Sequence, residues 1–187
     1  NSKITIDLKQ VYIDKVNYLD EFKASAEFKN NKIKNLVLDS VFPNKKELKL
    51  TINTAENGEK VTTVFTNFPK PIVSRYKFIK GFEKGTLDFQ SIKKNDVSRS
   101  VLKIFNFKVK EVPALAKLLS LASLQGIADT LTGEGIRFTD FEMIFSNEAK
   151  LMTIDEIYAI GPAISILSEG YIEKDSLISL RGTLVPA

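Results

Sequence analysis

The chain has 187 residues, of which 43% are hydrophobic and 27% charged, a balance typical of an ordinary globular domain with one core. It contains no Cys and no His, which excludes disulfides, thiolate nucleophiles, imidazole acid–base relays and the usual zinc sites. The net charge of +4 is uneven, because residues 1–111 carry 22 Lys and Arg against 13 Asp and Glu, whereas residues 112–187 carry 5 against 10. A basic first half suits phosphate head groups or nucleic acid, although solvated strand faces are the simpler interpretation.

The first half of the chain alternates apolar and polar residues, as half-buried strands do. This alternation predicts strands at Ile4–Leu8, Ala24–Phe28, Leu36–Leu38, Leu48–Ile52 and Val61–Asn67. Asn30-Asn31 is a predicted turn, and Asn57-Gly58 is the strongest hairpin signal, since both residues tolerate the positive φ of a type I′ turn. Pro69 and Pro71 interrupt the pattern, because proline cannot donate a hydrogen bond to a sheet. Strands are predicted again near Ile72–Phe78, Gly85–Ile92 and Val101–Val109.

The segment from Val112 to Leu131 carries the one convincing helical pattern. Apolar residues recur there at i, i+3, i+4 and i+7 in two sets that are slightly out of phase, which predicts a bent helix or two short helices. Pro113 suits the first helical turn, and Gly133 and Gly135 supply the positive φ that ends a helix.

Strands resume after the helical segment, and short turns separate them. They are predicted at Ile136–Phe145, Leu151–Ile160, Ala163–Ile172 and Leu177–Val185, with the last turn at Glu173-Lys174-Asp175. Strands joined by tight turns form an antiparallel meander. We therefore expect an α+β fold, mostly β: a curved antiparallel sheet with a helical insertion near residues 112–132 packed on its concave face. Residues 1–187 are expected to form a single β-rich domain, with a possible subdivision into 1–80 and 81–187.

Catalytic and ligand-binding motifs are weak throughout the chain. Gly81–Gly85 lacks the Lys and Ser or Thr of a phosphate-binding loop and is predicted to be a turn. Arg75–Phe78 interleaves basic and aromatic residues, which fits a nucleic-acid surface less well than a strand with one wet face. The carboxylates at Glu134, Asp140 and Asp155-Glu156 define no acid–base pair. We expect no enzyme, no cofactor, no metal site and no nucleic-acid partner.

The apolar face enclosed by the predicted sheet is the most informative candidate site. Val101, Phe105, Phe107 and Val109 are predicted to share one strand face, and Leu87 is predicted to share another with Phe89. Helix and sheet together either close into an ordinary core or leave an open trough for phospholipid acyl chains. The candidate lining residues are Leu115, Leu118, Leu119, Leu121, Leu124, Ile127 and Leu131 on the helix and Phe89, Phe105, Phe107, Phe138 and Phe141 on strands.

Several segments in the second half keep an order and spacing known from one family. They are Gly81–Phe89, Ile104–Leu119, Leu121–Ile127, Gly133–Phe138 and Leu180–Pro186. Together they resemble the C-terminal region of the AsmA-like family, large envelope proteins of Gram-negative bacteria. The resemblance covers a little over half the chain, and residues 1–80 share only their β-rich character.

The resemblance implies a β-groove protein in the periplasm, attached to the inner membrane through a segment outside this sequence. Relatives are thought to move phospholipids towards the outer membrane and to support outer-membrane homeostasis, and the family has no catalytic motif. It also implies that this chain is a fragment of a longer protein, with neighbouring β-repeats as partners. The alternative is a structural or protein-binding β-module that caps or assembles such a groove without binding lipid itself.

Overall fold

A computed structural model of the protein describes residues 1–75, 79–174 and 177–187. About 66% of the described residues are in strands, and the remaining regular structure among them is three short helices. The elements in chain order are β1 (Ser2–Tyr12), β2 (Tyr18–Lys29), β3 (Lys32–Val41), β4 (Glu47–Thr54), β5 (Lys60–Thr66), α1 (Lys70–Val73), β6 (Lys80–Lys94), β7 (Val97–Lys110), α2 (Pro113–Leu121), α3 (Gln125–Thr132), β8 (Ile136–Glu148), β9 (Leu151–Ile160), β10 (Ile164–Glu173) and β11 (Leu177–Pro186).

All eleven strands belong to one sheet, and each strand pairs antiparallel with the next one in the chain. The fold is therefore an α+β, mostly β, curved antiparallel meander with a helical insertion, which confirms the fold class expected from the sequence. Within the described residues the sheet is open, because β1 and β11 each pair with one neighbour only.

The two predicted hairpin turns both form, but the type I′ pair of positive φ values occurs at Asn30-Asn31 and not at Asn57-Gly58. Asn30 and Asn31 have φ of 51° and 57°, so this pair adopts the two positive φ values expected of a type I′ turn. The β4–β5 hairpin also forms, but only Gly58 is left-handed there, with φ of 82°. The type I′ prediction for Asn57-Gly58 was wrong in this respect, because the loop is wider and closes through the Ala55 N–H to the Glu59 carbonyl at 2.8 Å.

Two segments between β5 and β7 differ from their predictions. The strand expected near Ile72–Phe78 begins instead as α1, because Pro71 occupies its first turn, where a missing N–H costs nothing; residues 76–78 lie outside the described part. The turn expected at Gly81–Gly85 lies inside β6, where the register shifts between Lys80 and Glu83. Positive φ at Gly81, Lys84 and Gly85 lets the strand bulge here without ending.

The helical segment splits into α2 and α3, as one of the two sequence interpretations expected. Ser123, with φ of 60°, separates the two helices, and Pro113 lies in the first turn of α2. Gly133 has a negative φ of −89°, and the left-handed residue is Gly135, at 91°, whose N–H reaches the Thr130 carbonyl at 2.7 Å. The left-handed residue that leads the chain from α3 into β8 is therefore Gly135, two residues after Gly133.

We call the end of the sheet that carries the three described helices the closed end, and the end with only short turns the open end. At the closed end, α1 and the pair α2–α3 follow the last residues of β5 and β7. The Arg75 guanidinium donates to the Ile13 carbonyl at 2.6 Å, so the segment after α1 reaches back to the β1–β2 turn. At the open end, the described connections are short polar turns such as Asn30-Asn31 and Asn95-Asp96.

Candidate functional site

One face of the sheet carries three consecutive apolar rows that run across the strands. Residues directly opposite in an antiparallel pair point to the same face, so the register defines each row. The inner row, nearest the closed end, is Leu48, Thr66, Leu87, Ile104, Phe141, Ala159, Ile166 and Leu184. The middle row is Ala24, Leu38, Leu50, Val64, Phe89, Leu102, Met143 and Ile157. The outer row is Ile4, Ala26, Leu36, Ile52, Thr62, Ser91, Ser100, Phe145 and Ile154.

The inner row is covered by a compact core at the closed end. Leu119 of α2 and Leu131 of α3 have no exposed surface, and they belong to one buried cluster with Phe82, Phe107 and Phe138. Phe107 stacks on Phe82 and on Phe138 with ring centroids 5.4 and 5.5 Å apart, and Phe141 meets it edge-on at 6.2 Å. At this end the helices fill the sheet as a core.

The middle row is apolar and lies beside the core, against which its members Val64, Phe89 and Leu102 pack. Each of its members is half-buried, and no described helix or loop packs over the members on β2, β3 and β4. At the β1 edge the same face presents Ile4, Ile6 and Leu8, which are 52%, 39% and 47% exposed. A contiguous exposed apolar surface of this extent marks a binding surface more often than a solvated one.

The opposite face of the sheet, called the polar face below, mixes charged residues with apolar ones such as Val37 and Ile92, and most of its charges on β1 to β4 are complementary across the strands. Asp7, Lys23, Asp39 and Lys49 face one another in register on β1 to β4. Farther along, Asp88 faces Lys103, and Lys103 pairs with Glu142 at 3.1 Å. Opposite charges in facing positions favour this register, and they keep this face in water.

Nine of the twelve residues predicted to line a groove are brought together. Leu119, Leu131, Phe107 and Phe138 are buried in the cluster, and Leu115, Leu124, Ile127, Phe89 and Phe141 pack partly exposed against it. Their proximity was anticipated, but the four buried side chains are core residues that a ligand does not reach in this structure.

Three predicted residues lie elsewhere. Leu118 and Leu121 are 45% and 74% exposed, because the face of α2 that meets the sheet is formed by Leu115, Ala116 and Leu119. Phe105 lies on the face opposite Ile104 and outside the cluster. Asn106 follows it with a left-handed φ of 53°, which reverses the alternation so that Ile104 and Phe107 share the core face. The predicted common face of Val101, Phe105, Phe107 and Val109 was therefore wrong for its first two members.

Sequence reasoning missed the residues that make the partly exposed part of this face. Leu38, Leu50, Val64 and Leu102 occupy the middle row, although their alternation with polar neighbours was visible in the sequence. The missing information was the strand pairing, which places them opposite one another in a continuous row.

The described residues offer little for catalysis. Glu134, Asp140, Asp155 and Glu156 are all exposed, and no group of three or more potential ligands is arranged to hold a metal ion among the residues described. One perturbed carboxyl lies at the closed end: the pKa of Asp14 is lowered to about 2, first by the side-chain amide of Asn17 and then by the N–H groups of Val16 and Asn17. These bonds, at 2.8 to 2.9 Å, form the exposed turn between β1 and β2 and account for the lowered pKa.

Comparison of the chain with protein-family models, curated proteins and solved structures gives no match. The resemblance to the AsmA-like family therefore rests on the sequence segments alone and stays a prediction. No helix within the described ranges is long and apolar enough to span a bilayer.

Proposed function

We propose that the protein is a non-enzymatic lipid-binding section of an envelope protein of the AsmA-like type. In this proposal the apolar face of the sheet binds phospholipid acyl chains in the periplasm and forms part of a path between inner and outer membrane. The observation that supports it is the middle row, which is apolar across eight strands and partly exposed in every member. Ten methylenes moved from water onto this row would contribute about 8 kcal/mol at ~0.8 kcal/mol each.

The middle row supplies the residues that we expect to line the lipid-binding surface, and most of them differ from the twelve predicted from the sequence. They are Leu38, Leu50, Val64, Phe89, Leu102 and Met143, with Ile4 and Ile6 extending the face to the β1 edge. In this assignment α2 and α3 close one end of the trough, and Leu119 and Leu131 anchor them to the sheet.

The test is native mass spectrometry with lipid extraction on the purified chain and on two double variants. Leu38→Gln with Leu50→Gln places two amides in the middle row, whereas Val37→Gln with Ile92→Gln makes the same kind of change on the polar face, where both side chains are already at least 40% exposed. We expect bound phospholipid in the wild type and the polar-face variant, and a loss of about ten-fold or more in the middle-row variant. Equal lipid in all three proteins, or none in the wild type, would contradict the proposal.

A second candidate is a module that assembles through its edges. All but one residue of β1 are exposed along its eleven residues, and its outer edge has no partner within the described chain. Such an edge pairs readily with another strand. A lipid-free protein that dimerises with rising concentration would favour this candidate over lipid binding.

A further inference from the structure

The apolar face is interrupted by polar side chains on three neighbouring strands, β5, β6 and β7. We name this feature the β5–β7 patch, and its members are Lys60, Thr62, Ser91, Lys93, Ser98 and Ser100. On each strand they point to the same face as Val64, Phe89 and Leu102, because they lie two or four residues from these side chains. The patch therefore extends this face from the middle row toward the open end. The outer row is apolar on both sides of the patch, with Leu36 and Ile52 on one side and Phe145 and Ile154 on the other.

Two lysines of the patch face each other directly. Lys60 on β5 is the register partner of Lys93 on β6, and neither side chain forms an ion pair with another of the described residues. Directly opposite residues have Cβ atoms about 4.5–5.5 Å apart, and like charges in such positions destabilise a sheet. Elsewhere in the sheet Lys23 meets Asp7 and Asp39, and Lys110, which faces Lys80, has Glu83 within 4.0 Å, whereas Lys108 faces Arg137. The unmatched pair therefore favours an anion from outside the described chain.

Hydroxyl groups lie one row deeper than the lysines. Ser100, which is 3% exposed, donates to the Ser91 Oγ at 2.9 Å, so the Ser91 hydroxyl hydrogen remains available to another acceptor. Thr62 is the register partner of Ser91 on the other side, and Ser98 is the partner of Lys93. Two ammonium groups and several hydroxyls are donors suited to phosphate oxygens.

The distance from the patch to the closed end suits an acyl chain. Four residues separate Thr62 from Thr66 on β5, which corresponds to about 13 Å at ~3.3 Å per residue. Half of a bilayer hydrocarbon core is about 15 Å thick. A chain that starts at the patch and runs toward α2 and α3 therefore crosses the middle row and ends against the covered inner row and the helical core.

We propose that the β5–β7 patch binds the phosphodiester of a phospholipid whose acyl chains lie on the middle row. This inference rests on the proposed function and adds a site for the headgroup and the orientation of the lipid: the headgroup lies at the open end, against Lys60 and Lys93, and the chains point to the closed end. The patch would recognise a phosphate anion that is attached to an apolar tail. Diacylglycerol has the apolar tail but no phosphate.

The test compares two probes with the same acyl chains, dioleoyl phosphatidylglycerol and dioleoylglycerol, by native mass spectrometry. The patch variant is Lys60→Gln with Lys93→Gln. The control, Lys49→Gln with Lys94→Gln, removes the same charge from the polar face, because Lys49 faces Asp39 and Lys94 is adjacent to Lys93 on the other side of β6. We expect wild type and control to prefer phosphatidylglycerol by about ten-fold and the patch variant to lose that preference while still binding dioleoylglycerol.

The outcomes separate the two proposals. A patch variant that keeps the preference, or a control that loses it equally, overturns headgroup recognition by the patch and leaves acyl-chain binding standing. A wild type that captures neither probe overturns the proposed function itself. Inorganic phosphate provides the third arm: if it binds the wild type as tightly as phosphatidylglycerol and is lost from the patch variant, the patch is a free-anion site and the lipid assignment is overturned.

Discussion

At the scale of single residues, a few left-handed positions decide which side chains meet. Asn106 in β7 has φ of 53°, and Gly85 in the neighbouring β6 has φ of 90°. A Cβ on Gly85 would lie 2.9 Å from the Phe107 Cβ, so the two strands are close at this point. Together they allow both Ile104 and Phe107 to join the core, although three residues separate them.

Substitution at Asn106 tests this role. Asn106→Val places a β-branched residue in the left-handed region and should lower the free energy of unfolding by about 1–2 kcal/mol or more, whereas Asn106→Gly should change it by less than about 0.5 kcal/mol. Urea denaturation measures both. Since Asn106 is exposed, lost packing is not a competing cause, and equal stability of the two variants would contradict the assigned role.

Asp14 gives the β1–β2 turn a pH dependence. The Asn17 side chain and the N–H groups of Val16 and Asn17 hold the pKa of this carboxyl down, from 3.8 to about 2. Because the folded pKa is the lower one, the stabilisation is present above about pH 4 and is lost as the pH falls toward 2. A carboxyl carbon NMR titration should place the Asp14 midpoint near 2, and Asp14→Asn should remove this part of the acid sensitivity. A midpoint at the ordinary value would disprove the turn geometry.

At the scale of elements, α2 and α3 close one end of the sheet through few side chains. Leu119 and Leu131 are fully buried, whereas Leu118 and Leu121 on the outer side of α2 are exposed. Neither helix has a side chain that caps its N-terminus, so packing on the sheet is their main source of stability.

Alanine substitutions on α2 separate packing from helix propensity. Leu119→Ala should destabilise the protein by about 2–5 kcal/mol, because it leaves a cavity beneath the helix. Leu121→Ala makes the same chemical change on the same helix and should cost less than about 0.5 kcal/mol. Thermal and urea unfolding with matched samples measure the difference, and similar losses in the two variants would mean that α2 packs with another face.

The elements were more predictable than their contacts. Alternation and helical spacing predicted most strands, the meander and a bent or split helix, because each of these signals is local; the strand expected near Ile72–Phe78 was wrong at its start, where α1 forms. The faces around Asn106 were not predictable, since a single left-handed residue reverses the alternation without any change in hydrophobic pattern. The choice of Leu118 and Leu121 failed for a related reason: a leucine-rich helix of nine residues does not say which of its sides meets the sheet.

At the scale of the whole molecule, the protein is one sheet with two unlike faces. The polar face matches its charges across β1 to β4, and the apolar face grades from an inner row covered by the core to a partly exposed middle row. The middle row could not be found from single strands, because it exists only when residues distant in sequence, such as Leu38 and Leu102, share a row. This is also the scale at which the lipid experiments above apply.

The pairing of every strand with its immediate successor also has a consequence for how the protein forms. Each strand needs only the segment before it, so most of the loops closed are short and their entropic cost is small; the longest connection is residues 111–135, which hold α2 and α3. The sheet can grow strand by strand in the order of synthesis, without waiting for a distant partner. The same property makes the fold extensible, because adding or removing one hairpin at an edge leaves every other pairing unchanged.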